Sequence, residues 1–178
     1  LYYGKRLRIE QASDVESLAE KQAFPPGNSN VYDEKYPKLS LENMRLEMSS
    51  YGKSDIREPF IEVVHADGSY TSDFLYEGMV LSQNKAPLET LPSSYEENGN
   101  VQELTILLKD KQYDLKLELH YYVFPEYDVI SRSAKFINDS NDSVQLKRLM
   151  SQQLDFEDHG YVFTTFNGSW AREMYSHD

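Results

Sequence analysis

Hydrophobic residues alternate with polar ones most cleanly between residues 113 and 123, where Tyr113, Leu115, Leu117, Leu119, Tyr121 and Val123 are separated by Asp114, Lys116, Glu118 and His120. A period of two sends successive side chains to opposite faces of a strand, so one face is expected to be buried and the other wet. That pattern suits an antiparallel sheet in a sandwich and argues against a parallel sheet covered on both sides. His120 falls on the polar face, where a solvated role is expected and a catalytic one is not.

The same reading extends in both directions. Residues 1–9 alternate weakly and predict a strand, followed over 11–21 by a short helix or a loop. Residues 60–65 and 70–76 are apolar runs joined by Ala66-Asp67-Gly68-Ser69. Asp-Gly between two such runs predicts a hairpin. Pro87 and Pro92 mark a connection that ends near Tyr95. Strands are then predicted over 101–108, 129–138 and 144–150, with turns at 124–128 and 139–143, and residues 154–156 and 161–166 continue the pattern. No helix-period segment is long enough for a parallel α/β unit. The fold class expected is therefore all-β, an antiparallel β-sandwich occupying residues 1–178 as a single domain.

Two stretches break the alternation. Residues 23–49, which include Phe24-Pro25-Pro26-Gly27-Asn28-Ser29-Asn30, have no sustained period. Such a loop either has a job, covering a site or reaching a partner subunit, or is a disordered surface insertion. Residues 50–62 read Ser-Tyr-Gly-Lys-Ser-Asp-Ile-Arg-Glu-Pro-Phe-Ile-Glu, with a glycine, acids, bases and a proline running straight into an apolar strand. This looks like a loop held rigidly at the mouth of a sheet, where function often resides, although an ordinary solvated connection is the plainer alternative.

Composition narrows the partners. The chain has 178 residues, 39% hydrophobic and 13% aromatic, enough to build a core. Thirty acidic against eighteen basic residues leave a net charge of -12, which repels phosphate backbones and anionic lipid. Nucleic acid and membrane are therefore not expected as partners, and no apolar run is long enough to span a bilayer. The absence of cysteine removes disulfides, thiolate zinc sites and thiol nucleophiles, and is compatible with the cytoplasmic location expected here. Since the chain opens on Leu1-Tyr2-Tyr3-Gly4, native sequence is expected to precede it. The sequons at Asn138, Asn141 and Asn167 are read as chance occurrences.

No glycine-rich phosphate cradle, nucleophile elbow or paired-histidine zinc motif is present, so no cofactor and no metal are expected. His65, His120, His159 and His177 are dispersed. Acidic residues are too numerous for abundance to single out a glycosidase pair. Trp170 is the sole tryptophan and has two readings. It is either a core residue, the commoner fate in a β protein, or an aromatic platform that stacks on the apolar face of a pyranose.

Five separated passages occur in an order that resembles one family. They are Leu1-Tyr2-Tyr3-Gly4-Lys5, Ser50-Tyr51-Gly52-Lys53-Ser54-Asp55-Ile56-Arg57-Glu58-Pro59, Ala66-Asp67-Gly68-Ser69, Tyr127-Asp128-Val129-Ile130-Ser131-Arg132-Ser133, and Gly168-Ser169-Trp170-Ala171-Arg172-Glu173. Together they resemble the amino-terminal domain of bacterial family 36 α-galactosidases. The resemblance implies a β-supersandwich, with retaining hydrolysis carried out by two aspartates of a (β/α)8 barrel that this chain does not contain. No catalytic residue is thus expected within the chain, which alone is expected to be inactive.

The resemblance also implies homo-oligomers in which a long loop, here residues 23–55, closes a neighbour's α-galactoside pocket. Acids and bases in or before that loop fall near Glu20, Lys21, Lys35 and Lys38. Lys38, Asp55, Arg57 and Trp170 are the residues it suggests for sugar contact in trans, with Asp55 and Arg57 equally explained as an ion pair that fixes the loop. The alternatives are an autonomous carbohydrate-binding module and a purely structural interaction domain.

Overall fold

The computed structural model describes residues 7–11, 14, 41, 44–53, 58–95, 97, 99–155 and 160–177. The elements among them are all strands: β1 (Ile61–Val64), β2 (Phe74–Ser82), β3 (Gln102–Asp110), β4 (Leu115–Phe124), β5 (Val129–Asn138), β6 (Gln145–Leu149), β7 (Thr165–Ser169) and β8 (Arg172–His177). Strands β2-β3-β4-β5 form an antiparallel meander, β1 pairs with β6, and β7 pairs with β8.

The alternation along β4 is realised as burial. Leu115 and Leu117 are fully buried, Leu119 and Tyr121 nearly so, and all four pack with Phe60, Ile61 and Val63 from the β1 segment. The β1-β6 pair therefore lies over one face of the meander, which makes a two-layer antiparallel sandwich. Each large apolar side chain sealed between the layers contributes roughly 1.5–3 kcal/mol of transfer free energy. Near the end of β4 the other face closes as well, because Tyr122 and Phe124 bury against Val101. Lys85 sits 4.6 Å above the Tyr122 ring, and Ser94 Oγ lies 3.0 Å from Ser131 Oγ, so the connection between β2 and β3 is held against this second face.

The expectation of a solvated His120 is corrected, since its side chain is only 17% exposed. Its Nδ1 lies 2.8 Å from Glu103 Oε1 and 3.1 Å from Thr105 Oγ1, and its Nε2 lies 3.3 Å from Glu118 Oε2. The polar face of β4 is thus a charge cluster spanning β3 and β4.

The hairpin expected at Asp67-Gly68 is also corrected. The turn itself forms: the Gly68 N–H donates to the His65 carbonyl and the His65 N–H to the Ser69 carbonyl, each at 2.9 Å, with Gly68 at φ 84°. The strands on either side do not pair, however, since β1 takes β6 as its partner and β2 takes β3. Past the turn, the Asp73 N–H donates to Asp110 Oδ2 at 2.7 Å and its carbonyl accepts from the Lys111 N–H at 2.9 Å. These bonds draw the chain to the β3-β4 turn, so residues 66–73 cross from one layer to the other.

Residues 7–9 and 161–164 are not strands, and the last two strands lie further along, at β7 and β8. Most of the elements expected over 1–21 and most of the loop expected over 23–49 lie outside the described residues. Among the described residues no helix is long and apolar enough to cross a membrane.

Candidate functional site

The stretch before β1 is clamped on both sides. Ser49 and Ser50 are buried, and Ser50 makes a parallel bridge to Ile61. The Ile61 N–H donates to the Ser49 carbonyl at 3.1 Å, and the Phe60 N–H donates to Ser49 Oγ at 3.1 Å. Ser49 Oγ in turn donates to Gln153 Oε1 at 3.0 Å. Gly52 follows at φ 81°, a left-handed conformation that favours glycine, and a Cβ there would meet Thr71 Oγ1 at 2.6 Å. Tyr51 packs against Tyr70 with ring centroids 5.9 Å apart. Turn chemistry and close approach together make the described residues 49–53 a fixed hinge, as the sequence suggests.

Two turns meet the hinge and border with it an open cleft of about 600 Å³, lined by residues that include Lys53, Asp67, Asp73, Asp110, Gln112 and Tyr113. Asp110, buried at the end of β3, organises its floor. Its Oδ1 accepts the Gln112 and Tyr113 N–H groups, both at 2.9 Å, while Oδ2 takes the Asp73 N–H. A buried carboxylate is costly unless such donors surround it, and here they do. Lys53 Nζ lies 3.1 Å from Asp73 Oδ2, which ties the hinge to the start of β2.

On the opposite wall a hydroxyl relay is fixed in direction. The Tyr113 hydroxyl donates to Asp67 Oδ2 at 2.9 Å, so the Ser69 hydroxyl, 2.6 Å away, donates to Tyr113. The Ser69 N–H, first, and the Tyr113 hydroxyl, second, hold the Asp67 carboxyl below its usual range. Tyr113 stacks on His65 at 3.6 Å between centroids, which occupies one face of its ring.

Lys38, Asp55 and Arg57 lie outside the described residues, as do Glu20, Lys21 and Lys35. Trp170 is described, and the core reading for it is overturned: it is 96% exposed at the tip of the β7-β8 hairpin. The hairpin closes with Ala171 at φ 60°, and it pairs with no other strand among the described residues. Nothing in the geometry brings Trp170 to the cleft. Sequence reasoning singled out the hinge but missed Asp110 and Tyr113. Their signal was only a short polar turn after β3, and their partners stand 37 to 46 residues away.

A meander covered by a two-stranded pair, with a polar cleft where the turns gather, defines the class: an antiparallel β-sandwich domain. Among the described residues, no group of three or more histidine or acidic side chains is placed to hold a metal ion. The chain belongs to the glycosyl hydrolase family 36 N-terminal domain, whose family model matches residues 1–178.

The α-galactosidase AgaA of Geobacillus stearothermophilus is 30% identical over 176 residues, which are 98% of this chain and 24% of that protein. Its crystal structure superposes with a TM-score of 0.85. The crystal structure of the α-galactosidase from Lactobacillus brevis superposes with a TM-score of 0.88 at 32% identity, over 99% of this chain and 23% of that one. Alpha-galactosidase 2 of Hypocrea jecorina is 30% identical over 129 residues, 72% of this chain and 17% of that protein. AgaA variants have been solved in complex with raffinose and with stachyose. The chain thus spans about a quarter of the length of AgaA. Family and fold class are as the sequence led us to expect.

Proposed function

We propose that this chain is the non-catalytic amino-terminal part of an α-galactosidase that hydrolyses terminal α-galactosides of the raffinose type. In this reading it contributes oligomer contacts and one wall of a neighbouring subunit's active site. The observation that carries the reading is the family match along the whole chain, together with one relative, AgaA, whose variants have been solved with raffinose and with stachyose. The clamped hinge supports it further. Residues 49–53, at the end of the loop over 23–55, are fixed to β1 and to the start of β2, and a fixed attachment favours the defined positioning that orientation-dependent catalysis requires.

The experiment is to change Asp55 and Arg57 to alanine in the full-length enzyme. KM for raffinose is expected to rise at least fivefold, with the oligomer mass unchanged. An unaltered KM would remove the wall from the reading, and a loss of oligomer would assign those residues to assembly.

A second reading is favoured by one observation, the exposure of Trp170. In it the chain is an autonomous carbohydrate-binding module with that indole as its platform. Calorimetry of the isolated chain with galactose, for wild type and Trp170→Ala, separates the two. Binding lost with the indole supports the module, and silence in both supports the supporting domain.

A further inference from the structure

We infer that β2 is the edge on which this sandwich receives a further β-strand, supplied by the part of the same polypeptide that lies outside these 178 residues. The register between β2 and β3 sets which side chains share a face. Leu104, Ile106 and Leu108 of β3 belong to the core between the layers, and their partners on β2 are Leu81, Met79 and Tyr76. Those three, one strand further out on the same face, are each at least 60% exposed. The apolar face of the meander thus runs past its cover, because the β1-β6 pair is two strands wide and the sheet beneath it four. On the other face of β2, Leu75 and Val80 are exposed as well.

The edge itself is open. Among the described residues β2 pairs with β3 alone, so one side of its backbone presents N–H and C=O groups. A bulge between Tyr76 and Gly78 interrupts the register and leaves residues 78–82 as the longer regular stretch. Proteins blunt an edge that stays in water with charges, prolines or a covering loop. β5, the other edge of the same sheet, follows that rule. It carries Arg132 and Lys135, and the connection between β2 and β3 leans on it through Ser94 and Ser131. β2 carries one charge, Glu77, and no proline. An apolar edge with so little protection is suited to being paired within the protein.

The same polypeptide, and not a second copy, is the source of the strand. This chain superposes on nearly its whole length with AgaA and with the Lactobacillus brevis enzyme, yet spans about a quarter of each. Much of such a protein is therefore tethered to this edge, and a tethered segment meets it at an effective concentration that a separate copy does not match. The strand should be apolar at every second position, to lie beside Met79 and Leu81 on their face. The inference rests on the reading of this chain as part of a longer α-galactosidase, and uses nothing from the neighbour's active-site wall.

The test uses the full-length protein carrying Tyr76→p-benzoylphenylalanine or Met79→p-benzoylphenylalanine, irradiated, separated under denaturing conditions and mapped by peptide mass. Crosslinks within one polypeptide are expected, from these positions to a segment outside the 178 residues. A crosslinked species of twice the mass would assign the edge to a second copy and overturn the inference. Crosslinks confined to the 178 residues, or none from either position, would overturn it too. Hydrogen–deuterium exchange of the unsubstituted protein gives a reading that no variant can disturb. The peptide over 74–82 should be protected throughout, whereas an unpaired edge exposes about half its amides, since alternate N–H groups of an edge strand point outward. Rapid exchange of that half would contradict the pairing. Hydrolysis of p-nitrophenyl α-galactoside by the same preparation checks the α-galactosidase reading separately, so the two failures are told apart.

Discussion

The meander beneath β1-β6 and the β7-β8 hairpin are built from similar strand-forming residues, yet they end in opposite environments. In the first, Leu115 and Leu117 are sealed to zero exposure under Phe60, Ile61 and Val63. In the second, Phe166, Trp170, Met174 and Tyr175 all stand more than 60% exposed on a two-stranded ribbon. The difference lies in what covers each, because a strand's apolar side chains stabilise only when a second layer removes them from water. A two-stranded hairpin on its own is marginal in water. The stability of this chain should therefore reside in the sandwich and hardly at all in the hairpin.

The largest expected effect breaks the covered side. Leu117→Ala opens a cavity at the centre of β4 and should cost about 2–5 kcal/mol in denaturant unfolding of the chain. Asp110→Ala removes the acceptor for three backbone N–H groups at the cleft floor. It should cost about 2–4 kcal/mol, while Asp110→Asn, which retains one oxygen acceptor, should cost less. Gly52→Ala forces a Cβ against Thr71 in a left-handed backbone and should cost about 1–3 kcal/mol by the same measurement.

A pH profile sharpens the same side. Burial, first, and the hydrogen bond and charge of Glu47, second, push the Tyr121 hydroxyl well above its usual value, against the smaller opposing effect of Arg132. A folded-state pKa raised above the unfolded one gives stability that is intact below pH ~10 and declines as pH rises beyond it. Unfolding midpoints should therefore fall above pH ~10 in the wild type and fall less steeply in Tyr121→Phe. The smallest effect belongs to the uncovered side. Trp170→Ala should change the stability of the chain by less than about 0.5 kcal/mol, and a large loss would mean that the hairpin is covered after all.

Legibility in the sequence follows the same division. Burial of Leu115, Leu117, Leu119 and Tyr121 on β4 could be read from periodicity, because local alternation reports which side chains a sheet will hide. The bounds of β5 could be read from the turns on either side, whereas burial of Tyr122 and Phe124 on the opposite face of β4 could not. The Asp67-Gly68 turn could be read too, but not the partners of its flanking strands. Turn chemistry fixes four residues, whereas pairing of β1 with β6 is set by contacts such as Ile61 opposite Leu149, far apart in sequence. Of the two readings open for Trp170, the core one fails because the β7-β8 ribbon has no second layer over it among the described residues, which periodicity in the sequence could not report. The hinge announced itself through Gly52 and the charged residues around it. The cleft did not, since it exists only when two turns and the hinge are brought together by the fold.

The account stands most directly on one comparison of hydrolysis. The purified 178-residue chain and the full-length protein are assayed at equal molar concentration with p-nitrophenyl α-galactoside. The full-length protein is expected to release p-nitrophenol steadily while the chain gives the rate of buffer alone. Turnover by the pure chain, or none by the full-length protein, would contradict the assignment of this sandwich as a supporting domain of an α-galactosidase.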